Sequence, residues 1–539
     1  MRTALFTRTR CLLLLLLAGA LMGGCAKPAH TAKQPPTAPV PLAARSVGLP
    51  GQSKPQVNQS SATTDWPLFD HDPARSGVNQ NETVLTPAGV GRLQRLWTQS
   101  LPDKADSSPI LLSSVPLPDG STADLLFLTT ESGTTVALDA QSGAIVWQQQ
   151  AAGPRIKNQR CQVCATLAAD PSRRWIYAAG NDGAVHRYDV AIGAEDTASP
   201  WPVLVTLIDP YEKRSGSLNI ANGNLYVPLS GYFGDFGPYV GHVVSIRLAD
   251  GATQVFNVLC SDQHQLLAPI YLVPNSATAC AKREAGVWAR SGVVVDQSGG
   301  PADGQLFLAT GNGPFDVDQG GTDYGDSVLR LSGDAATLID SYTPSTFATL
   351  DQRDADLGST APALLPVQSG SSTPYLFVQG GKDAILRLVD RSHLGGVGGE
   401  LQQLDVKAGG IFTAPIAWQD PQGSDASGNN TWLFVVTANT TVGLRVVTDA
   451  SGKTTLQEGW RVSGGGTSPV IAGAILFNAG SGGVVARDPR TGKELWNSGQ
   501  PSTGGNIGGI HWESPIVANG RLYISDESNK VTAYGLPGQ

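Results

Sequence analysis

The sequence has few charged residues and no excess of basic ones. Charged side chains make up 15% of the 539 residues, the formal net charge is -8, and the isoelectric point is near 5.4. A basic surface that would attract nucleic acid is therefore not expected. Long segments with the 3.6-residue apolar period of an amphipathic helix are also lacking, which argues against a helical fold.

Glycine and proline are abundant instead. The chain contains 64 Gly and 36 Pro, and 41% of its residues are apolar, a composition typical of many short strands joined by tight turns. One unit recurs in recognisable form. Residues 134–147 (TTVALDAQSGAIVW) and 483–496 (GVVARDPRTGKELW) both show a strand, an acidic turn with Gly, and a second strand that ends in Trp. Since one hairpin cannot bury its apolar faces alone, repeated hairpins predict stacking.

Eight groups of short strands follow one another between residues 108 and 534. The eighth group has three strands, whereas residues 93–98 form an isolated strand before the first group. Pairing of this early strand with the eighth group would close the ring and leave no open sheet edge. The sequence therefore predicts an all-β fold: an eight-bladed β-propeller of four-stranded antiparallel blades over residues 65–539, closed by an N-terminal strand that completes the last blade.

The N-terminus has the features of an export signal. A basic start is followed by the apolar run Leu12 to Leu17 and by small residues that lead into Cys25. This resembles a bacterial lipobox, which implies a signal peptide over residues 1–25, a lipid on Cys25 and no membrane-spanning helix in the mature protein. An ordinary secretory signal is the alternative. Residues 26–64, rich in Pro, Ala and Ser, are expected to be a disordered tether.

Sorting in Gram-negative bacteria gives an expected location. Ala26, rather than Asp, follows the lipobox Cys25. By analogy, we expect a periplasmic lipoprotein anchored to the outer membrane.

The strand repeat resembles the pyrroloquinoline quinone (PQQ)-like propeller family. Its members include quinoprotein dehydrogenases and the non-catalytic lipoprotein of the outer-membrane barrel assembly machine. The resemblance extends from about Trp66 to the C-terminus. It implies the fold, but both branches of the family share the repeat, so it does not distinguish between their functions.

Long insertions fall in the connections that share one face of a propeller, and any site is expected at the channel mouth there. The quinoprotein resemblance implies roles for several residues in these connections. Trp288 is similar to the aromatic floor under the quinone, and Lys382 to the cation beside the quinone oxygens. Asp356 resembles the aspartate that takes the proton of the alcohol, with Asp354 as a second candidate.

A calcium ion is implied by the same resemblance. Asn312 is similar to an amide ligand, Asp235 falls close to the position of an acidic ligand, and Asp356 is a further carboxylate ligand. Carboxylate and amide oxygens are the ligands that calcium prefers, and the ion would polarise a quinone carbonyl. Each residue also has a structural explanation: a turn for Asn312, packing for Trp288, a cap for Asp356, a solvated turn for Lys382.

The sequence departs from the dehydrogenase pattern in three places. The family's site often carries two adjacent cysteines, but here Cys161 and Cys164 are separated by two residues. Ala355, and not Trp, precedes Asp356. A haem is not expected, because Ala165 stands where the Cys-x-x-Cys-His motif requires His.

Four cysteines lie outside the leader: Cys161, Cys164, Cys260 and Cys280. An even number in an exported protein predicts two disulfides, for which three pairings are possible. Local pairing of Cys161 with Cys164 and of Cys260 with Cys280 is favoured, and a zinc site formed by all four is the alternative.

Two functions remain open at this stage. The first is a PQQ- and calcium-dependent oxidoreductase that acts on a small alcohol or sugar and passes electrons to a separate acceptor. The second is a non-enzymatic propeller that holds envelope proteins together, as the barrel-assembly relatives do.

Overall fold

The computed structural model describes residues 65–538, apart from residues 152, 154–160, 234 and 424–429. The predicted signal peptide, Cys25 and the predicted tether lie outside the described residues. The fold prediction is confirmed: the chain forms an eight-bladed β-propeller of mainly four-stranded antiparallel sheets.

Blades 1 to 4 follow in chain order. Blade 1 consists of Ile110–Pro116, Thr122–Thr129, Thr134–Asp139 and Ile145–Gln150. Blade 2 consists of Ala168–Ala169, Trp175–Ala179, Ala184–Asp189 and Val203–Leu204. Blade 3 consists of Asn219–Ala221, Asn224–Leu229, His242–Arg247 and Thr253–Asn257. Blade 4 consists of Val294–Val295, Leu306–Ala309, Val328–Leu331 and Leu338–Thr343, with Gly396–Val397 added in parallel.

Blades 5 to 8 complete the ring. Blade 5 consists of Ala363–Leu364, Leu376–Gln379, Ile385–Asp390 and Gln402–Asp405. Blade 6 consists of Ile416–Gln419, Thr431–Val436, Thr440–Thr448 and Thr454–Ser463. Blade 7 consists of Val470–Ala472, Ile475–Gly480, Gly483–Arg487 and Glu494–Asn497. Blade 8 consists of Ile516–Ala518, Arg521–Asp526 and Lys530–Gly535, with Gln94–Ser100 as its fourth strand.

The ring closes as predicted. Gln94–Ser100 pairs antiparallel with Lys530–Gly535, from Gln94 opposite Gly535 to Ser100 opposite Lys530. The N-terminal strand thus occupies the edge of the last blade, where an unpaired strand would otherwise expose its backbone groups.

Smaller elements lie between the strands. Ala268–Pro269 pairs in parallel with Ala279–Cys280, and one α-helix, Phe347–Gln352, precedes blade 5. In the part of the chain that the structure describes, four 3-10 helices span Val90–Arg92, Val317–Gln319, Leu357–Ser359 and Pro501–Thr503. Among the described residues, no helix is both long and apolar enough to cross a membrane.

Both predicted disulfides are present. Cys161 is bonded to Cys164, and Cys260 to Cys280. A zinc site formed by all four cysteines, the alternative, is therefore wrong, because disulfide sulfur atoms offer no thiolate ligand.

The recurring Trp joins one blade to the next. The indole of Trp147 in blade 1 donates a 2.9 Å hydrogen bond to the carbonyl of Val190 in blade 2, beyond its third strand. Trp460 of blade 6 makes the equivalent 2.8 Å bond to Pro489 in blade 7. At the ring closure, Trp97 bonds to the carbonyl of Ala140 in blade 1 at 3.3 Å.

The turn glycine of the repeat is explained by the same contact. Gly193 has a φ of +67°, and a Cβ atom there would lie 2.5 Å from Cδ2 of Trp147. Gly492 stands in the same relation to Trp460, and Gly143 to Trp97, each with a built Cβ at 2.6 Å from the ring. Trp147, the Trp of the first unit, therefore packs on the turn Gly of the following blade, whereas Trp496, the Trp of the second unit, donates to the carbonyl of Leu93.

An N-terminal segment, residues 65–85, runs across the first strands of the blades. Its backbone pairs with blade 1 at Leu111, blade 2 at Ala169, blade 4 at Val295 and blade 7 at Ile471. The buried Arg75 fixes its middle, because its guanidinium donates to the carbonyls of Phe69, Ser217, Leu218 and Ser291. This segment therefore ties together the inner strands of separate blades.

Substitution of Gly193 by Ala tests the contact between blades. The added methyl group would overlap the Trp147 ring, so we expect Gly193→Ala to lose about 1–3 kcal/mol of unfolding free energy beyond the cost of its positive φ. Gly223→Ala is the matched control, since Gly223 has a φ of +74° and its built Cβ meets nothing within 4 Å. Chemical denaturation measures both variants. Equal losses would contradict the proposed role of the glycine.

Candidate active site at one mouth of the channel

The candidate residues all lie on one face of the propeller. In antiparallel blades, the connections between second and third strands and those between successive blades emerge on the same side. Lys382, Asn312 and Asp235 lie in connections of the first kind, whereas Trp288 and Asp356 lie in connections of the second kind. The fold thus brings residues from distant parts of the chain to one channel mouth, which we call the inserted face.

Asp356 lies at the centre of the candidate site. It is 4% exposed, and its Oδ2 accepts a 2.8 Å hydrogen bond from the Trp288 indole. Its Oδ1 lies 3.2 Å from Nζ of Lys382, which also donates a 2.6 Å hydrogen bond to Asp354. The same ammonium group lies 5.5 Å from the centre of the Trp288 ring. Four residues predicted from the sequence are thus in direct contact.

Burial raises the pKa of Asp356 to about 6, against the opposing effect of the Lys382 charge. The pKa of Lys382 is raised in turn, because the two aspartates outweigh the effect of its burial. A carboxyl group with a pKa near 6 exchanges its proton close to neutral pH, as a general base must. Asp354 is more exposed, with 62% of its side-chain surface accessible.

Asn312 lies beside this group. Gly311, the residue before it, packs so closely that a Cβ atom would lie 3.0 Å from the Trp288 indole nitrogen and 3.1 Å from Asp356 Oδ2. The side chain of Asn312 is 9% exposed and makes no hydrogen bond within the described part of the chain. Its amide oxygen is therefore available to a ligand.

Asp326 is a site residue that the sequence did not reveal. Its backbone N–H donates to the carbonyl of Gly311, and its Oδ1 accepts a 2.9 Å bond from the N–H of Leu357. The side chain is 1% exposed, and Oδ2 has no hydrogen-bond partner among the described residues. Burial, with a further contribution from the nearby Asp356, raises the pKa of Asp326 to about 8. No motif or spacing marks this residue.

Asp235 has a different environment from the one its predicted role requires. Its carboxylate accepts a 2.6 Å hydrogen bond from the hydroxyl of Tyr239. No contact within the described residues joins Asp235 to Asn312 or Asp356. Burial and then the charge of Asp235, with a smaller effect of Asp356, raise the pKa of Tyr239. The assignment of Asp235 as a calcium ligand stays a prediction.

A second polar cluster occupies the same mouth, around Asp106. The Oδ2 atom of this buried carboxylate lies 3.0 Å from Nδ1 of His511 and 3.1 Å from Sγ of Cys161 in the disulfide. Arg290 donates to the backbone carbonyls of Asp106 and Ser215. The disulfide predicted from the sequence is therefore part of the inserted face.

Two further titratable groups border this cluster. Burial raises the pKa of Glu513 well above its usual range, and the neighbouring Asp106 raises it further. Burial also lowers the pKa of Lys213 to about 8, helped by the charge of Arg290. Lys213 has no carboxylate within ion-pair distance in the described part of the chain. It adds a positive charge to the mouth.

Aromatic rings connect the Asp356 group to a large cavity. Phe412 lies 6.3 Å from Trp288 and 6.4 Å from Trp512, measured between ring centres. Phe412 and Trp512 line a cavity of about 1000 Å³ that is formed by blades 6 and 7 and the connections on either side of them. The cavity therefore begins one aromatic ring away from the candidate base.

The residues present are of the types that would bind a quinone and a calcium ion. Trp288 offers a flat, half-buried ring, and Lys382 offers a cation beside it. Oxygen donors for a hard cation are the free amide of Asn312, the unpartnered Oδ2 of Asp326 and the carboxylate of Asp356. A cation there would also offset the repulsion between the two buried carboxyl groups.

The architecture is that of a PQQ-like propeller. The similarity of the sequence to known proteins agrees with this class. The sequence matches the family described as outer membrane protein assembly factor BamB over residues 90–265 and 415–536. Since the match covers more than half of the chain, the protein belongs to this family. No curated protein matches the sequence.

Solved structures with a similar fold include quinoprotein dehydrogenases. Quinohemoprotein alcohol dehydrogenase ADHIIG from Pseudomonas putida HK5 has a TM-score of 0.60 and 14% identity, covering 88% of this chain and 80% of its own. A europium-containing methanol dehydrogenase has a TM-score of 0.60 and 16% identity, covering 88% of this chain and 98% of its own. The quinohemoprotein alcohol dehydrogenase from Comamonas testosteroni has a TM-score of 0.58 and 13% identity, covering 90% of this chain and 82% of its own. At such identities the likeness establishes the fold alone.

The raised pKa of Asp326 predicts a pH-dependent stability. The folded protein holds a proton on Asp326 up to pH of about 8, whereas an unfolded aspartate loses it near pH 4. The folded state thus binds more protons in this range, and stability falls as the pH rises.

We therefore expect Asp326→Asn to stabilise the metal-free protein by about 1 kcal/mol or more at pH 9, relative to its effect at pH 5. Thermal unfolding in the presence of a chelator measures the difference. Asp250→Asn is the control, because Asp250 lies on the surface and pairs with Arg247. A stability difference independent of pH would contradict the buried, protonated state of Asp326.

Proposed function

We propose that this protein is a quinoprotein-type oxidoreductase that oxidises an alcohol or sugar with the help of PQQ and calcium. The observation that carries the proposal is the contact of Asp356 with Lys382 and Trp288 at the channel mouth. Buried carboxyl groups with pKa values near neutrality are concentrated at catalytic sites. The fold is shared with quinoprotein dehydrogenases, and the residue types of this cluster support the proposed chemistry.

The residues would divide the work as follows. Asp356, as the ionised carboxylate, accepts the proton of the substrate hydroxyl group. Lys382 keeps Asp356 charged at neutral pH and holds it by an ion pair, while the Trp288 indole orients its second oxygen. Asn312, Asp326 and Asp356 would hold calcium, and Trp288 would support the quinone.

When bound, PQQ would accept the hydride, and with it the two electrons, that leave the alcohol carbon. The proton of the hydroxyl group goes to Asp356, and the product is the carbonyl compound. A separate acceptor must then take the electrons, since Ala165 leaves the Cys-x-x-Cys sequence without the His of a haem motif.

The cellular setting is part of the proposal. The basic and apolar leader with Cys25 supports lipid anchoring, and Ala26 supports the outer membrane as the site of anchoring. We infer that the propeller works in the periplasm.

Asp356→Asn should remove the activity. The amide cannot accept the proton, so we expect alcohol-dependent dye reduction to fall by a factor of about 100 or more, the usual contribution of a general base. Binding of the cofactor should persist in the variant. Asp250→Asn, on the surface, serves as the control. Full activity of Asp356→Asn would refute the assignment.

The pH profile gives a second readout. Activity should rise with pH through about 6 as Asp356 ionises. Lys382→Met should move this midpoint upward, because the lysine charge favours the ionised carboxylate. A midpoint that stays in place would show that another group is titrating.

A protein-binding role is the second candidate, and exposed aromatic side chains on the inserted face favour it. Phe233 is 97% exposed, Phe236 54% and Tyr271 57%. Exposed apolar residues that cluster in loops are common in binding surfaces. Crosslinking in the cell envelope should then recover a partner that Phe233→Ser and Phe236→Ser together no longer capture. Unchanged capture by the double variant would contradict this role.

A further inference from the structure

The cavity of blades 6 and 7 has a lining that the proposed redox chemistry does not use. Its wall contains the aromatic rings of Phe412 and Trp512 and, around them, mainly small and polar residues. Amide and hydroxyl side chains face it from several blades: Asn439, Thr467, Asn478, Asn497, Gln500 and Asn506. A volume of about 1000 Å³ is ample for a small organic ligand.

Three buried side chains in this wall have unused polar atoms. Asn478 is 2% exposed, and its Oδ1 has no hydrogen-bond partner among the described residues. The same holds for Oγ1 of Thr467, which is 3% exposed, and for Nε of Arg487, which is 7% exposed. These three atoms are enclosed in the wall itself, so a ligand in the cavity would meet the other atoms of these side chains.

The cavity wall contains one guanidinium group, that of Arg487. Arg487 makes one 3.3 Å hydrogen bond, to the carbonyl of Gly492, and no carboxylate of the described chain lies within ion-pair distance of it. Among the described lining residues there is neither Asp nor Glu, although the whole sequence has 45 acidic residues. A ligand with a carboxylate would offset the buried guanidinium charge.

The remaining lining chemistry indicates a polyhydroxylated ligand. Amide and hydroxyl side chains both donate and accept hydrogen bonds, as the hydroxyl groups of a sugar require. Phe412 and Trp512 offer flat apolar faces on which a sugar ring can pack. The combination of several amides, two aromatic rings and one arginine matches a polyhydroxylated acid better than a simple alcohol or an apolar compound.

We propose that this cavity binds a sugar acid of the hexuronate class, with its carboxylate at Arg487 and its hydroxyl groups at the amide side chains of the wall. Binding does not require the proposed redox function. If that function is correct, the contacts of Phe412 with both Trp288 and Trp512 favour the sugar acid as a substrate or product.

Isothermal titration calorimetry on the full propeller, without PQQ or calcium, tests the proposal. We expect saturable binding of D-glucuronate or D-galacturonate, and weaker binding of D-glucose, which has the ring but not the carboxylate. Arg487→Gln should weaken uronate binding about tenfold or more, since a charge-assisted hydrogen bond is lost. Arg461→Gln should have no effect, because Arg461 lies outside the cavity and pairs with Glu458.

A second variant keeps the test decisive if Arg487→Gln does not fold. Asn506 is exposed at the cavity wall, and Asn506→Asp adds a negative charge there with little risk to the fold. It should weaken uronate binding by a larger factor than glucose binding, because the added charge repels only the carboxylate. Thermal unfolding of each variant checks its integrity.

Three results would overturn the proposal: no saturable binding of either uronate, equal binding in the original protein and in a folded Arg487→Gln variant, or acetate binding as strongly as the uronates. Because the titration contains no cofactor, a negative result leaves the Asp356 assignment standing. Loss of activity in Asp356→Asn without uronate binding would support the redox site and reject the sugar acid.

Discussion

The propeller depends on Trp side chains that reach from one blade to the next, and at three junctions the ring packs against the turn glycine of the following blade. Trp147, Trp460 and Trp97 each donate an indole hydrogen bond to the following blade, at 2.9, 2.8 and 3.3 Å. The last of these contacts works only because Gln94–Ser100 completes blade 8, which brings Trp97 to blade 1. Without closure, one contact of the ring would be missing and one sheet edge would be exposed. The N-terminal segment adds a second tie, through Arg75 and the inner strands.

This rigid ring allows charged groups to be held in unfavourable surroundings. Asp356 and Asp326 lie close together and are almost fully buried, at 4% and 1% exposure, so their pKa values rise to about 6 and about 8. Neither raised pKa would persist on a mobile loop, because water would solvate the charged carboxylates. The glycines at 311 and 358 allow the connections to approach closely. A loss of folding free energy caused by buried ionisable groups is characteristic of functional sites.

The sequence predicted the fold well because the signal is repeated. Alternation of apolar residues, turn glycines and terminal tryptophans occurs blade after blade, so errors at one strand do not alter the architecture. The missing fourth strand of blade 8 was informative for the same reason. Local spacing also predicted the two disulfides, since Cys161 and Cys164 are close in sequence and Cys260 and Cys280 bound one insertion.

The site was predicted only in part, because its contacts join distant residues. Trp288, Asp354, Asp356 and Lys382 were found through the family resemblance, and the structure brings them together. Asp326 was missed, since a Gly-Asp-Ser tripeptide in a connection has no distinctive pattern. The orphan atoms of Arg487, Asn478 and Thr467 become visible only when the burial and the partners of each side chain are known.

The central claim, that this mouth binds a quinone and a calcium ion, is tested most directly by thermal unfolding of residues 65–539 with PQQ and calcium, separately and together. Since a ligand at 100 times its dissociation constant stabilises by about 2.7 kcal/mol, a saturable upward shift that needs both ligands is the expected result. No shift with either or both, at saturating calcium, would contradict the account and favour a propeller that binds protein partners.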